Sequence, residues 1–142
     1  MLKSISPLIT PDLLYALASM GHGDEIAIVD ANFPATSLAR KCVVIPGIAT
    51  PTIVRAILSL LPIDDFVLHP GWTMEIVGDP QGTVPAIAEI RNVIQEHDAR
   101  AVASLSREAF YKRAAEAFII VQTGELRKYG NVILKKGVIA SD

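Results

Sequence analysis

The chain has 142 residues and a mass of 15.3 kDa, a length typical of one domain, and we expect residues 1–142 to fold as one unit. Hydrophobic residues make up 51% of the sequence and charged residues 20%, which is too apolar for an intrinsically disordered chain. The net charge is −2 and no basic stripe interleaves with aromatic residues, so the sequence argues against a nucleic-acid partner.

The apolar excess is explained either by a membrane or by contact between subunits. A spanning helix needs about 20 consecutive apolar residues, whereas the longest unbroken stretches, such as residues 117–121, are far shorter. The first residues, with Ser6, Pro7 and Asp12, do not resemble a signal peptide. We therefore expect no membrane association, and a homo-oligomer that buries apolar surface against copies of the same chain.

The single cysteine, Cys42, lies in an apolar run and is expected to be a small buried hydrophobe. It cannot form an internal disulfide, and the sequence contains no CxxC or Cys/His cluster that would predict a metal site. These features are consistent with a reducing, cytoplasmic location.

The chain is predicted to begin with a helix followed by two strands. Thr10 and Pro11 are typical of an N-cap followed by the first helical residue, and Gly21 ends the helix. Short apolar runs then predict strands over residues 25–29 and 42–45.

The rest of the chain continues to alternate between helices and strands. Thr50 and Pro51 repeat the helix-start signal, and Pro62 ends this second helix. Apolar spacing predicts two further helices, over residues 85–97 and 107–116. The remaining strands are predicted over residues 65–68, 74–77, 101–103, 118–122 and 131–135.

This alternation indicates an α/β fold in which helices cover both faces of one sheet, a three-layer α/β/α sandwich. No full crossover helix separates the last two strands, so they cannot be joined as a parallel pair in the usual way. The sheet is therefore expected to be mixed and mainly parallel.

The first candidate site is the segment GHGDE at residues 21–25. His22 lies between two glycines, so no bulky neighbour shields its ring. Histidine changes protonation near neutral pH, which suits proton transfer. The alternative is an ordinary loop histidine that is exposed or caps the preceding helix.

The second candidate is Asp30, directly after the strand predicted over residues 25–29. In open α/β sheets, ligands bind beyond the carboxyl ends of strands, and a carboxylate there can accept hydrogen bonds from two neighbouring hydroxyls. The alternative is an Asx turn or a helix N-cap before Phe33 and Pro34.

The third candidate is a polar C-terminal group formed by Arg107, Tyr111, Tyr129, Gly130 and Asn131. Glycine lets the backbone approach a ligand closely, while phenol and amide groups direct hydrogen bonds. The alternative is a β-turn with a half-buried tyrosine.

Five segments together resemble the L-fucose mutarotase / D-ribose pyranase family: MLKSISPLITPDLL, MGHGDEI, DANFP, FYKRA and TGELRKYGNVILKKGV. They keep the family's order and approximate spacing over essentially the whole chain. GHGDE with DANFP is similar to the fucose branch, whereas the ribose branch typically has threonine after the histidine. The resemblance implies a cofactor-free isomerase of a reducing monosaccharide, with L-fucose as the expected sugar. It also implies a ring-shaped homo-oligomer, a decamer of two pentamers.

The resemblance also implies roles for the candidate residues. Mutarotation opens the hemiacetal to an aldehyde and closes it on the other face, so one group gives a proton to the ring oxygen and another takes the anomeric hydroxyl proton. His22 matches the family's catalytic acid, and the second group is Tyr129 or a bound water. The positions that match sugar-binding residues are Asp30, Arg107, Tyr129, Gly130 and Asn131, and Tyr111 lies in a matching block.

The spacing of His22 and Asp30 adds a geometric constraint. One residue precedes the strand over 25–29 and the other follows it, and five residues of strand span about 17 Å. Both side chains therefore reach one sugar only if a loop folds back or if two subunits build the site together. We expect the second arrangement.

Residues 66–82 depart from the family pattern, with Trp72 in place of a smaller residue, which leaves the preferred sugar open. Trp72 is expected either to stack on a sugar ring or to anchor the core. The alternative functions are a ribose pyranase, a non-catalytic sugar-binding or transport-accessory protein, and a structural oligomer. A phosphohistidine carrier is also considered, although Asp24 and Glu25 disfavour it electrostatically.

Overall fold

The computed structural model describes residues 1–141 as a six-stranded sheet with helices on both faces. The helices are α1 (Pro11–Ser19), α2 (Ala35–Leu38), α3 (Thr50–Leu58), α4 (Pro85–Gln95) and α5 (Arg107–Glu116). The strands are β1 (Glu25–Val29), β2 (Cys42–Ile45), β3 (Gly71–Met74), β4 (Ala103–Leu105), β5 (Ile119–Thr123) and β6 (Val132–Lys135).

The strand order across the sheet is β2-β5-β1-β6-β3-β4. In the centre, Ile28 of β1 pairs with Val121 of parallel β5 on one side and with Val132 of antiparallel β6 on the other. Of the six strands described, β6 runs against the other five, because no crossover helix separates it from β5. The expected mixed, mainly parallel sheet is confirmed.

Alternate residues of each strand pack on opposite faces of the sheet. Ile26 and Ile28 of β1 contribute to a core shared with α1, α3 and α4, whereas Ala27 and Val29 contribute to a second core shared with α2 and α5. All four side chains are fully buried. The two cores on either side of one sheet give the predicted three-layer sandwich.

Proline occupies the first turn of α1, α3 and α4, as its fixed φ angle favours. Thr10 caps α1 as predicted, since its hydroxyl accepts a hydrogen bond from the Leu13 amide at 3.3 Å. The same prediction is wrong for Thr50, because Ala49 occupies the cap of α3 and makes no side-chain cap bond. No helix in residues 1–141 is both long and apolar enough to cross a membrane.

Three strand predictions are wrong, and one of them, over residues 101–103, is displaced to Ala103–Leu105. Residues 65–68 form no strand, because the Asp64 carboxylate accepts a hydrogen bond from the Phe66 amide at 3.1 Å and turns the chain. The strand predicted over 74–77 lies at Gly71–Met74, where a Cβ on Gly71 would lie 3.2 Å from the Ile133 carbonyl oxygen. Glycine thus permits the close approach of β3 to β6. Cys42 is half-buried and not fully buried as expected, because β2 is an edge strand.

Candidate functional site

A cavity of about 350 Å³ lies at one edge of the sheet. The carboxyl ends of β1 and β5 lie at this edge because the two strands are parallel, and the first residues of antiparallel β6 lie there too. Asp30 follows β1 and Asn131 precedes β6, so both reach the cavity. The lining residues are Asp30, Asn32, Phe33, Met74, Val77, Arg107, Tyr111, Lys128, Tyr129 and Asn131.

Five residues singled out from the sequence therefore lie together: Asp30, Arg107, Tyr111, Tyr129 and Asn131. Gly130 lies between two of them, but it is not part of the lining. Its carbonyl oxygen accepts a hydrogen bond from the Thr50 hydroxyl at 2.8 Å. A Cβ on Gly130 would lie 2.5 Å from Cγ of Glu125, so the glycine lets the loop close against that buried side chain.

The Asp30 carboxylate is almost fully buried at this cavity. Its Oδ1 accepts a hydrogen bond from the Asn32 amide at 3.0 Å, so the Asx-turn interpretation is correct and the residue still lines the cavity. Burial raises the pKa of the Asp30 carboxyl, and hydrogen bonds from Asn32 and Asn131 oppose this effect only in part. A ligand that donates hydrogen bonds, such as a sugar hydroxyl, offsets the cost of burying this group.

The loop that carries Tyr129 is held in an unusual backbone conformation. Tyr129 has a φ angle of 65°, which non-glycine residues adopt at an energetic cost. Two buried threonine hydroxyls support this loop. The Thr50 hydroxyl lies 2.8 Å from both the Gly130 carbonyl oxygen and the Thr123 hydroxyl. The Thr123 hydroxyl in turn lies 2.9 Å from the Val29 carbonyl oxygen. These buried contacts join α3, β5 and β1 to the loop.

Aromatic groups form two sides of the cavity. The Tyr129 hydroxyl accepts a hydrogen bond from the Val77 amide at 3.2 Å. Tyr111 packs edge-on against Phe33, with ring centroids 4.9 Å apart, and its hydroxyl accepts a hydrogen bond from Arg107 at 3.4 Å. This hydrogen bond raises the pKa of the Arg107 guanidinium. Ring faces with a few directional polar groups are typical of a site for a small polar ring.

His22 lies at the other end of β1, beside a second cavity of about 490 Å³. Its ring nitrogen Nε2 lies 3.1 Å from Oδ1 of Asp64, and the Phe66 ring centroid lies 5.1 Å from its own. The His22 side chain is 42% exposed, so the rest of the ring remains accessible. The two cavities have no lining residue in common among the residues described, so one subunit does not bring His22 to Asp30.

Asp64 is the functional candidate that the sequence analysis missed. Its carboxylate is buried, and burial alone would raise its pKa. Hydrogen bonds from the Phe66 amide and the His22 ring outweigh burial and hold the pKa of Asp64 below its usual value. The residue is therefore a carboxylate at neutral pH and an acceptor for the Nε2 proton. The signal that could have found it is the sequence Asp-Asp-Phe, which is typical of an Asx turn.

Trp72 lies outside both cavities. It is buried in β3, and the guanidinium carbon of Arg113 lies 3.8 Å from its ring centroid. The core-anchor interpretation is therefore correct, and the sugar-stacking interpretation is wrong. In residues 1–141, no group of three or more His, Cys, Asp or Glu side chains is placed to hold a metal ion.

Comparison with known proteins adds an independent finding. The family model described as RbsD / FucU transport protein family matches residues 3–139. The fucose mutarotase of Homo sapiens is 42% identical, and the match covers 98% of this chain and 95% of that protein. The fucose mutarotase of Streptococcus pneumoniae, solved in complex with L-fucose, is 42% identical, with a TM-score of 0.89 over 98% of this chain and 100% of its own. FucU from Bifidobacterium longum is 39% identical, with a TM-score of 0.91 over 97% of this chain and 100% of that one.

Proposed function

Since the chain belongs to the RbsD / FucU transport protein family, we propose that it is a cytoplasmic mutarotase that interconverts the α and β anomers of L-fucose. The observation that carries the proposal is the convergence of five polar or aromatic candidates on one cavity of about 350 Å³. This volume is near the lower end for small-molecule sites, as a single monosaccharide ring requires.

The reaction needs two proton transfers and no net change in protons or electrons. Protonated His22 gives a proton to the ring oxygen as the bond from that oxygen to C1 breaks. Tyr129 or a bound water accepts the proton of the anomeric hydroxyl and passes a proton on to the solvent as the aldehyde forms. Rotation about the C1–C2 bond and reversal of both transfers give the other anomer. Positioned acid–base groups contribute about 10²- to 10⁴-fold to such steps.

The remaining cavity residues hold the sugar. Asp30 accepts hydrogen bonds from sugar hydroxyls, while the guanidinium of Arg107 and the amide of Asn131 donate them. Tyr111 orients Arg107 through the hydrogen bond between them. Gly130 lets the loop close against Glu125, and the closed loop presents Tyr129 and Asn131 to the sugar.

Asp64 fixes which nitrogen of His22 transfers the proton. A carboxylate 3.1 Å from Nε2 accepts the proton on that nitrogen, so the neutral ring keeps its lone pair on Nδ1. The protonated ring then donates from Nδ1 and is stabilised by the negative charge of Asp64. His22 and Asp64 therefore act as one acid–base pair.

We call the cavity of about 350 Å³ beside Asp30 the sugar cavity. We place the His22–Asp64 pair of one subunit against the sugar cavity of another. The two cavities at opposite ends of β1 support this arrangement, because within a single chain His22 lies in one cavity and the proposed sugar-binding residues lie in the other. Phe66 and Leu68, beside the pair, are 76% and 79% exposed and supply apolar surface for a subunit contact. The family resemblance favours a homodecamer of two pentameric rings.

Saturation-transfer NMR between the α and β anomers tests the proposed function, with L-fucose, D-ribose, D-galactose and L-rhamnose compared under the same conditions. We expect the largest acceleration for L-fucose and its loss in His22→Ala. The matched control is His97→Ala, since this histidine is exposed at the end of α4 and should retain wild-type exchange.

Each other result identifies an alternative. Acceleration confined to the pyranose–furanose exchange of D-ribose would assign the chain to the pyranase branch. Sugar binding without acceleration, unchanged in His22→Ala, would indicate a non-catalytic binding protein. No acceleration and no binding for any of the four sugars would contradict the proposal.

A further inference from the structure

The turn formed by residues 64–67 touches His22 on two sides. Asp64 accepts the ring hydrogen bond at Nε2, and Phe66 packs against the ring face at a centroid distance of 5.1 Å. The turn belongs to no helix or strand, so its shape depends on contacts from elsewhere in the chain.

Arg100 supplies two of those contacts from the loop after α4. One terminal nitrogen of its guanidinium donates to the Asp64 carbonyl oxygen at 2.8 Å, and the other donates to the Val67 carbonyl oxygen at 2.5 Å. The guanidinium therefore binds the first and the last residue of the turn. A planar group with donors in fixed directions sets the separation of the two carbonyls more closely than a flexible ammonium could.

Arg100 is itself held in place by Asp98. The Asp98 carboxylate accepts hydrogen bonds from Nε at 3.0 Å and from a terminal nitrogen at 2.7 Å, and the Arg100 amide donates to it at 3.0 Å. This pairing raises the pKa of Arg100 and lowers that of Asp98. The guanidinium is thus charged and oriented before it meets the turn.

The other hydrogen bonds of this turn do not hold its two ends together. The Asp64 amide donates to the Lys135 carbonyl at 3.0 Å, and the Phe66 amide bonds to the Asp64 carboxylate within the turn itself. Those bonds attach only the beginning of the turn to the sheet. Arg100 is the group described here that ties its end, at Val67, back to its beginning.

We propose that Arg100 is a positioning residue for the acid–base pair: its guanidinium fixes the turn that holds Asp64 against Nε2 of His22. The inference rests on the proposed function and assigns Arg100 no contact with the sugar. Small errors in the placement of a catalytic group reduce the rate steeply. Loss of the Arg100 hydrogen bonds to the turn therefore lowers kcat and leaves sugar binding almost unchanged.

The test compares Arg100→Lys with Arg113→Lys in NMR exchange measurements over a range of L-fucose concentrations. The two arginines are matched, since each forms a two-point ion pair and their side chains are 30% and 27% exposed. We expect kcat to fall about tenfold in Arg100→Lys and less than about twofold in Arg113→Lys, with KM within about twofold of wild type in both. Thermal unfolding and size-exclusion measurements on each variant verify the fold and the assembly.

A double-mutant cycle separates positioning from a general structural role. If Arg100 acts through Asp64, then Arg100→Lys in an Asp64→Asn background lowers kcat by less than about twofold more. If Arg100→Lys does not assemble, Asp98→Asn loosens the same guanidinium and is expected to lower kcat in the same direction.

Two results would overturn the inference while leaving the proposed function intact: equal kcat values for Arg100→Lys and Arg113→Lys, or a tenfold effect of Arg100→Lys that persists in the Asp64→Asn background. Failure of the wild-type chain to accelerate any anomer exchange would instead overturn the proposed function.

Discussion

Nε2 of His22 lies 3.1 Å from Oδ1 of Asp64, a buried carboxylate from the segment before β3. This pair lies at the start of β1, whereas Asp30 and the sugar cavity lie at its end. The central strand of the sheet thus separates the proposed proton donor from the proposed binding residues of the same chain.

Replacement of Asp64 by asparagine is expected to lower kcat for L-fucose exchange by about 10- to 100-fold, because a neutral amide no longer stabilises the protonated ring of His22. The control is Asp65→Asn, which makes the same chemical change at the exposed neighbouring position. NMR exchange rates measure both variants. Equal rates for the two would contradict the His22–Asp64 pair.

Mixing two inactive variants tests the shared site. His22→Ala and Asp30→Asn are each expected to be inactive alone, since each removes one half of the machinery. When the two chains are refolded together in equal amounts, about a quarter of the sites should combine an intact His22 with an intact Asp30, if copies mix at random. Exchange activity should recover to that level. A mixture as inactive as its components would place each complete site within one chain.

Sequence reasoning reached the sugar cavity because its residues follow or precede strands that can be recognised from local patterns. Asp30 directly follows β1 and Asn131 directly precedes β6, so their convergence depends only on strand directions. The helical positions of Arg107 and Tyr111 were likewise predictable, since α5 has the predicted bounds.

Other features depend on contacts that no local pattern encodes. Asp64 meets His22 only after an irregular segment has turned against the sheet, so periodicity gives no indication of the pair. Thr50 carries the sequence signature of an N-cap, but burial places its hydroxyl beside the Gly130 carbonyl oxygen. Tertiary contacts override the local preference at this position.

Tyr129→Phe tests the second proton transfer. The phenyl ring keeps the packing and the left-handed backbone of this residue, and only the hydroxyl that accepts a hydrogen bond from the Val77 amide is lost. We expect kcat to fall by about 10²-fold if the phenol relays the proton. Tyr111→Phe is the control, since it removes a hydroxyl from the same cavity and should mainly raise KM. An active Tyr129→Phe enzyme would assign the transfer to water.

Acid sensitivity of the fold is expected from Glu125. The hydrogen bond from Arg127 holds the pKa of this buried carboxyl below its ordinary value of 4.5. A carboxyl whose pKa is depressed on folding stabilises the fold above its unfolded pKa, and this contribution is lost as the pH falls through the folded pKa. We therefore expect the free energy of unfolding, measured with denaturant, to fall less between pH 7 and pH values below 4.5 in Glu125→Gln than in wild type. Glu89→Gln is the control, since Glu89 pairs with the same arginine at the surface. If the free energy of unfolding had the same pH dependence in Glu125→Gln and Glu89→Gln, the prediction would be contradicted.

The buried hydroxyl of Thr50 links fold stability to the sugar cavity. Thr50→Val keeps the shape of the side chain but leaves the Gly130 carbonyl without its donor, at a cost of about 1–3 kcal/mol in the free energy of unfolding. Because Gly130 lies between Tyr129 and Asn131, a shift of that carbonyl also displaces two cavity residues, and we expect a higher KM for L-fucose. Thr50→Ser retains the hydroxyl and should keep both the hydrogen bond and a KM near wild type. Denaturant unfolding and NMR exchange on the two variants measure the effects, and a valine variant with the stability and KM of the serine variant would show that the hydroxyl holds neither the loop nor the cavity.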